Sequence, residues 1–117
     1  MGNENSGLPI YMQIVQDFKF QISSGILKPK DKLPSVRELA LMMTVNPNTI
    51  QKAYKELEDL GYITTIVGKG NYVSEDLSLA KNKTVDEEYE KIFNAIEKLK
   101  SLGYKKEEIL ENIKKGI

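Results

Sequence analysis

Two helix-start signals lie close together in the middle of the chain, and they constrain its fold more than any other feature. Ser35 is followed by Glu38 at the spacing of a capping box, in which each side chain accepts a hydrogen bond from the other residue's backbone N–H. Asn46 then precedes Pro47, and these residue types favour the cap and the first position of a helix. Since only a short helix and a tight turn fit between the two starts, the sequence predicts a helix-turn-helix.

The flanking segments predict the other parts of a winged helix. A first helix is indicated by apolar residues that recur every four positions after Pro9: Ile10, Ile14, Phe18 and Ile22. The two central helices have predicted inner faces made of Val36, Leu39, Ala40 and Met43, and of Ile50, Ala53, Tyr54 and Leu57. Residues 62–67 and 71–73, on either side of a glycine-containing turn, predict a β-hairpin. We expect a mainly α fold with a small β-hairpin, with a flexible N-terminus at 1–7 and a winged helix at 8–75.

The C-terminal part predicts a helical tail that joins two chains. Residues 76–83 are polar and indicate a linker, and Thr84 with Glu87 forms a second predicted capping box. A heptad-like seam follows, at Val85, Tyr89, Ile92, Ile96 and Leu99, and Phe93 widens it. A fifth helix at 105–115 is predicted to face inward with Ile109, Leu110 and Ile113. The seam can pack within its own chain or against a second copy; we favour a homodimer, with 84–117 as the dimerisation region.

The composition excludes most enzyme classes. The chain has 117 residues and contains neither His nor Cys, so zinc fingers, thiolate chemistry, disulfides and histidine bases are absent. The carboxylates Glu87, Glu88 and Glu90 are adjacent on a predicted exposed helix, which indicates a solvated face. We therefore expect no catalytic residue, no metal and no cofactor. The N-terminus lacks a secretory pattern and no apolar run is long enough to span a bilayer, so we expect a cytoplasmic protein without a membrane partner.

The predicted third helix carries the sharpest functional signal. Its outward face holds Asn48, Gln51, Lys52 and Lys55, and its exposed N-terminal end holds Asn46 and Thr49. Asn and Gln can make paired hydrogen bonds to adenine in the major groove, and Lys and Thr can contact phosphates. The alternative is an ordinary solvated face of an amphipathic helix. The helix-turn-helix context favours DNA binding, although 17 basic and 17 acidic residues give the chain no net charge.

Cations outside this helix are further candidates. Arg37 is the only arginine and lies in the first turn of the second helix, where a cation opposes the helix dipole. We expect it to contact phosphate or guanine rather than to pair with Glu38 or Asp31. The turn Gly68-Lys69-Gly70 can bring backbone N–H groups and an ammonium to a phosphate, or serve only as a hairpin turn. A cluster at Lys28, Lys30 and Lys32 is equally compatible with backbone binding and with a solvated loop.

Three ordered motifs resemble the GntR superfamily of bacterial transcription regulators. They are Leu33-Pro34-Ser35-Val36-Arg37-Glu38-Leu39-Ala40, then Val45-Asn46-Pro47-Asn48-Thr49-Ile50-Gln51-Lys52-Ala53-Tyr54, then Gly68-Lys69-Gly70. Pro9-Ile10-Tyr11 and the Asn-Pro-Asn-Thr segment are typical of the YtrA-type branch. The resemblance covers about residues 8–75. One departure is Lys30, which stands where the family usually has glycine.

The resemblance implies a homodimeric winged-helix repressor that binds an inverted-repeat operator, with ABC transporter genes as common targets. It implies DNA contacts by Ser35 and Arg37, by Asn46, Asn48, Thr49 and Gln51, and by Gly68 and Lys69 of the wing. The tail is too small to enclose a ligand pocket by itself, and the sequence identifies no small-molecule effector. The alternative function is a winged-helix protein-interaction module that does not bind DNA.

Overall fold

The computed structural model describes residues 7–117, in which it contains five α-helices and one two-stranded sheet. The elements are α1 (Ile10–Ser23), α2 (Val36–Met43), α3 (Pro47–Asp59), β1 (Ile63–Ile66), β2 (Gly70–Val73), α4 (Ser78–Ser101) and α5 (Lys106–Gly116). This order confirms the predicted mainly α fold with a winged helix followed by C-terminal helices. The predicted flexible segment at 1–7 lies, apart from Gly7, outside the described residues. The chain divides into two compact units, an N-terminal unit (Met1–Lys81) and a C-terminal unit (Asn82–Ile117).

Both predicted helix starts of the helix-turn-helix are confirmed. The Ser35 hydroxyl accepts from the Glu38 N–H at 3.0 Å, and the Glu38 carboxylate accepts from the Ser35 N–H at 2.8 Å. The Asn46 side-chain oxygen accepts from the Asn48 N–H at 2.8 Å. Between α2 and α3 the chain reverses at Thr44, whose φ of 57° and ψ of 48° place it in the left-handed region. Thr44 at the end of α2 and the Asn46 cap at the start of α3 therefore fix this turn.

The core of the N-terminal unit lies between α1, α3 and the hairpin. Buried side chains come from the predicted faces of α1 and α3 and from Leu39 and Ala40 of α2. Phe18 and Tyr54 meet edge to face, with ring centroids 5.8 Å apart. Two predicted inner residues are exposed instead: Met43 to 41% and Ile10 to 47%. Ile10 is the first residue of α1, and Met43 is the last residue of α2.

The hairpin is antiparallel and is extended by a short third segment. Ile63 pairs with Val73, and both side chains are buried. Lys32 forms an isolated bridge with Tyr72, and the Leu33 N–H donates to the Asn71 carbonyl at 2.9 Å. The residues just before α2 are thereby fastened to β2. This connection brings the start of the helix-turn-helix next to the wing.

The predicted linker at 76–83 and the predicted helix start at Thr84 are wrong. Helix α4 begins at Ser78, because the Asp76 carboxylate accepts from the Ser78 N–H at 2.9 Å and from its hydroxyl at 2.6 Å. These hydrogen bonds, the one from the hydroxyl first, hold the pKa of Asp76 below its usual value. Ala80 is buried and Leu77 packs against the N-terminal core. The packing of these apolar side chains thus stabilises a helix in a segment whose polar composition is typical of a linker.

The C-terminal unit leaves most of its apolar side chains in contact with solvent. Ile109 of α5 is buried, whereas Leu110 and Ile113, predicted to face inward, are 44% and 36% exposed. Ile96 and Leu110 line a small apolar cleft of about 120 Å3 with Ile109. Two helices alone have too little surface to cover both of their apolar faces. Among the described residues, no helix combines the length and apolar character needed to cross a membrane.

Candidate nucleic-acid interface

Three backbone features position the candidate contact residues on the N-terminal unit: the start of α2, the start of α3 and the turn of the wing. Each holds short or cationic side chains at the surface. Ser35, Arg37, Asn46, Asn48, Gln51 and Lys69 are exposed, and Thr49 is half-buried. The structure thus leaves all of these predicted residues accessible to a ligand.

At the start of α2, Arg37 is left without a counter-ion. Neither predicted alternative partner pairs with it, and Arg37 makes no ion pair with any residue in 7–117. Glu38 is instead committed to the cap, and hydrogen bonds from Ser35, first from its backbone N–H, hold the pKa of Glu38 below its usual value. The Ser35 hydroxyl is engaged in the same cap, where it accepts from the Glu38 N–H.

A buried hydrogen bond locks α3 against the start of α2. The Tyr54 hydroxyl donates to the Pro34 carbonyl at 2.7 Å, from a side chain that is only 2% exposed. Burial, followed by the charge of Glu38, raises the pKa of Tyr54 above its usual range. Because Pro34 immediately precedes the Ser35 cap, Tyr54 fixes where Arg37 lies relative to α3.

The two lysines on α3 have different environments. The Lys55 ammonium donates to the Asp59 carboxylate at 3.1 Å, and this hydrogen bond, with the nearby negative charges, raises the pKa of Lys55. The Lys52 ammonium lies 3.9 Å from the centroid of the Tyr11 ring. Lys52 keeps an uncompensated charge, whereas that of Lys55 is partly cancelled. The residue types alone do not distinguish them.

The wing presents one lysine at the tip of a tight turn. Gly68 and Gly70 have φ values of 80° and 120°, which favour glycine, and Lys69 lies exposed between them. The Tyr72 hydroxyl donates to the Lys69 carbonyl at 3.2 Å and stiffens the turn. A Cβ on Gly70 would lie 3.3 Å from Cε of Lys32, a contact that the flexible lysine side chain can relieve, so the φ of Gly70 is the reason for glycine here.

The structure separates the three lysines that the sequence grouped before α2. Lys30 forms an ion pair with Glu75 at 3.3 Å, on the side of the wing that borders a cleft of about 400 Å3. The Lys32 side chain instead lies next to Gly70 of the wing. Its positive charge also contributes to lowering the pKa of Glu38 in α2. Lys32 therefore stands between the start of α2 and the wing, and the sequence did not single it out. Its bridge to Tyr72 depends on tertiary pairing, so no local pattern reveals it.

Tyr11 is the second residue that the sequence analysis missed at this surface. The sequence indicates it only as part of the Pro9-Ile10-Tyr11 motif, but its ring is half-buried and supports Lys52 of α3. Together with Pro9, Ile10, Asn48 and Thr49, the pair lines a cleft of about 360 Å3. An aromatic residue in the first turn of a helix is a weak signal, because most such residues pack in the core.

A family model described as bacterial regulatory proteins of the GntR family matches residues 10–73. The match spans α1 to the end of β2, which includes both capped helix starts and the wing. The chain belongs to the GntR family. The resemblance drawn from the motifs is thereby confirmed.

Two GntR relatives differ in how much of their length this chain spans. The HTH-type transcriptional repressor YtrA of Bacillus subtilis is 58% identical over 71 residues, which are 61% of this chain and 55% of YtrA. The HTH-type transcriptional regulator YhcF of the same organism is 42% identical over 114 residues, 93% of this chain and 90% of YhcF. The chain thus covers about half of YtrA and nearly all of YhcF. Both relatives are transcription regulators of this family and not enzymes.

Solved structures support the same assignment. A transcriptional regulator from Oenococcus oeni is 37% identical, with a TM-score of 0.81 over 92% of this chain and 90% of that one. The DNA-binding domain of AraR, solved in complex with operator ORX1, is 31% identical with a TM-score of 0.55. It covers 57% of this chain and 81% of that one. The first comparison extends over both units, and the second shows a related domain with DNA bound.

Proposed function

We propose that this GntR protein is a homodimeric transcriptional repressor that acts in the cytoplasm by binding an inverted-repeat operator in double-stranded DNA. The observation that carries the proposal is the surface formed by the two capped helix starts. An unpaired Arg37 lies at one start, and the exposed amides of Asn48 and Gln51 lie at the other. AraR, whose related domain was solved with an operator, supports a DNA partner for this surface. ABC transporter genes are the targets we expect.

The residues of the surface divide into two roles. Ser35, Arg37, Lys52, Lys55, Gly68 and Lys69 bind the phosphate backbone, where charge and backbone N–H groups set register without reading sequence. Asn46, Asn48, Thr49 and Gln51 lie at the N-terminal end of α3, the end that reaches base edges in a helix-turn-helix. Asn46 already uses its side-chain oxygen as a cap, so its amide N–H groups are what it offers to a base.

The α4 seam (Val85, Tyr89, Ile92, Phe93, Ile96 and Leu99) supports the homodimer. Tyr89 and Phe93 are 54% and 56% exposed in the single chain, and their rings lie 6.1 Å apart. Such a patch of aromatic and aliphatic side chains is typical of an interface between copies. A two-fold dimer presents two α3 helices to two half-sites.

Arg37→Ala tests the DNA surface. In a fluorescence titration with DNA from upstream of the protein's own gene, we expect at least a ten-fold loss of affinity without a change in fold. Lys114→Ala, which removes one exposed positive charge from the last turn of α5, is the matched control. Equal affinities for wild type and Arg37→Ala would contradict the assigned surface.

Phe93→Glu tests the dimer separately. Analytical ultracentrifugation should show a shift toward monomer, because a carboxylate would enter an apolar contact. Asn94→Glu adds the same charge on the opposite side of α4 and should leave the dimer intact. If both variants sediment like wild type, the α4 seam is not the interface.

One observation favours a second candidate, a protein-interaction module without DNA binding. The chain has no net charge, and acids follow the lysines at the far end of α3, at Glu56, Glu58 and Asp59. This candidate predicts no sequence-specific footprint on any duplex. A footprint on DNA near the protein's own gene would eliminate it.

A further inference from the structure

The contact between Tyr11 and Lys52 joins the start of α1 to the outward face of α3. The Lys52 ammonium lies 3.9 Å from the centre of the ring, well inside the range of about 6 Å over which a cation is attracted to an aromatic face. Two other lysines, Lys19 and Lys32, stand 5.7 and 6.0 Å from tyrosine rings. Within residues 7–117, the Tyr11–Lys52 contact is the tightest of these three.

An aromatic face orders a lysine without neutralising it. A lysine side chain has four rotatable bonds, and their freedom must be lost when the ammonium binds one phosphate. A carboxylate partner would also restrict the side chain, as Asp59 does for Lys55, but it would cancel the charge that attracts the phosphate. The Tyr11 ring carries no formal charge, so it can hold Lys52 in place without cancelling the charge of the ammonium.

The surroundings of the ammonium fit the backbone of a nucleic acid. The cleft beside it is lined by the polar residues Asn48 and Thr49 and by the apolar residues Pro9 and Ile10. Its volume of about 360 Å3 is open enough for one sugar-phosphate unit. Because Asn48 and Thr49 are also proposed DNA contacts, a phosphate bound here would lie beside the bases that α3 reads.

We propose that Tyr11 is a positioning residue, which holds the Lys52 ammonium over α1 so that it binds one phosphate of the operator. The inference rests on the proposed DNA binding of this surface. The inference also predicts that Lys52 contributes more to the affinity for DNA than Lys55 does, because Lys55 forms an ion pair with Asp59.

A double-mutant cycle tests the coupling between the two residues. Tyr11→Leu should weaken operator binding about three- to five-fold, and Tyr11→Phe should bind like wild type because the ring remains. In a Lys52→Met background, Tyr11→Leu should have no further effect. Lys52→Met should lower the slope of log affinity against log salt by about one, and Lys55→Met should lower it less. Additive losses, or a larger effect at Lys55, would overturn the inference.

A measurement on the free protein removes the ambiguity of a misfolded variant. Ring current from Tyr11 should shift the Lys52 ε-protons upfield in the NMR spectrum, and Tyr11→Leu should restore an ordinary lysine shift. Unshifted Lys52 protons in wild type would overturn the positioning role, whatever the DNA data show. If wild type binds no DNA, the proposed function fails as well; if it binds and the cycle is additive, only this inference fails.

Discussion

Replacing Thr44 by glycine should stabilise the protein. Thr44 ends α2 with a φ of 57°, and its exposed side chain makes no hydrogen bond with any described residue. A β-branched residue is a poor choice for this region, where a Cβ costs about 1–2 kcal/mol. Glycine removes that cost but adds about 0.5–1 kcal/mol of chain entropy lost on folding. The expected net gain in the free energy of unfolding is about 0.5–1 kcal/mol.

Thermal unfolding followed by circular dichroism and calorimetry measures this gain. A domain of this size should show a rise in Tm of about 3–6 °C. Thr44→Ala is the matched control, because it removes the branch and keeps the Cβ, so it should recover little of the gain. Thr44→Asn should fall between the two, since asparagine tolerates the left-handed region better than most residues. If Thr44→Gly were no more stable than Thr44→Ala, the strain argument would be refuted.

Three further perturbations test other parts of the fold. Lys30→Gly should be about 0.5–1 kcal/mol more stable than Lys30→Ala, which loses the same ion pair but keeps a Cβ at a φ of 73°; equal urea midpoints would contradict this. Tyr54→Phe should cost about 1–2 kcal/mol by leaving the Pro34 carbonyl unpaired, and should weaken DNA binding, while Tyr104→Phe at an exposed site should change neither. Glu38 has a lowered pKa, so its contribution to stability is present above its ordinary value of 4.5 and is lost as the pH falls through the lowered value. The stability of Glu38→Gln should therefore fall less than that of wild type between about pH 5 and pH 3, and parallel acid curves would contradict this assignment.

The helix-turn-helix could be predicted because its determinants are local. Ser35, Glu38 and Asn46 satisfy backbone groups within three residues of themselves, so their spacing in the sequence is their spacing in the structure. The candidate contact residues on α3 follow from the same helix start, since the periodicity assigns one face to the core and the other to solvent.

The features that could not be predicted depend on tertiary contacts. Helix α4 begins before the predicted start at Thr84, because Leu77 and Ala80 pack in the core of the N-terminal unit. The polar composition of this segment does not reveal that packing. The support of Lys52 by Tyr11 requires α1 to pack across α3. Lys30 has a φ of 73°, in the left-handed region that favours glycine, and its residue type does not reveal this conformation.

Selection of bound duplexes from a random DNA pool tests the central claim most directly. A homodimer that reads DNA through the start of α3 should enrich a two-fold symmetric sequence, with half-sites spaced by about one helical turn. Arg37→Ala should fail to enrich it under the same salt conditions. A pool that shows no common sequence after several rounds with wild type would contradict the claim that this surface recognises an operator.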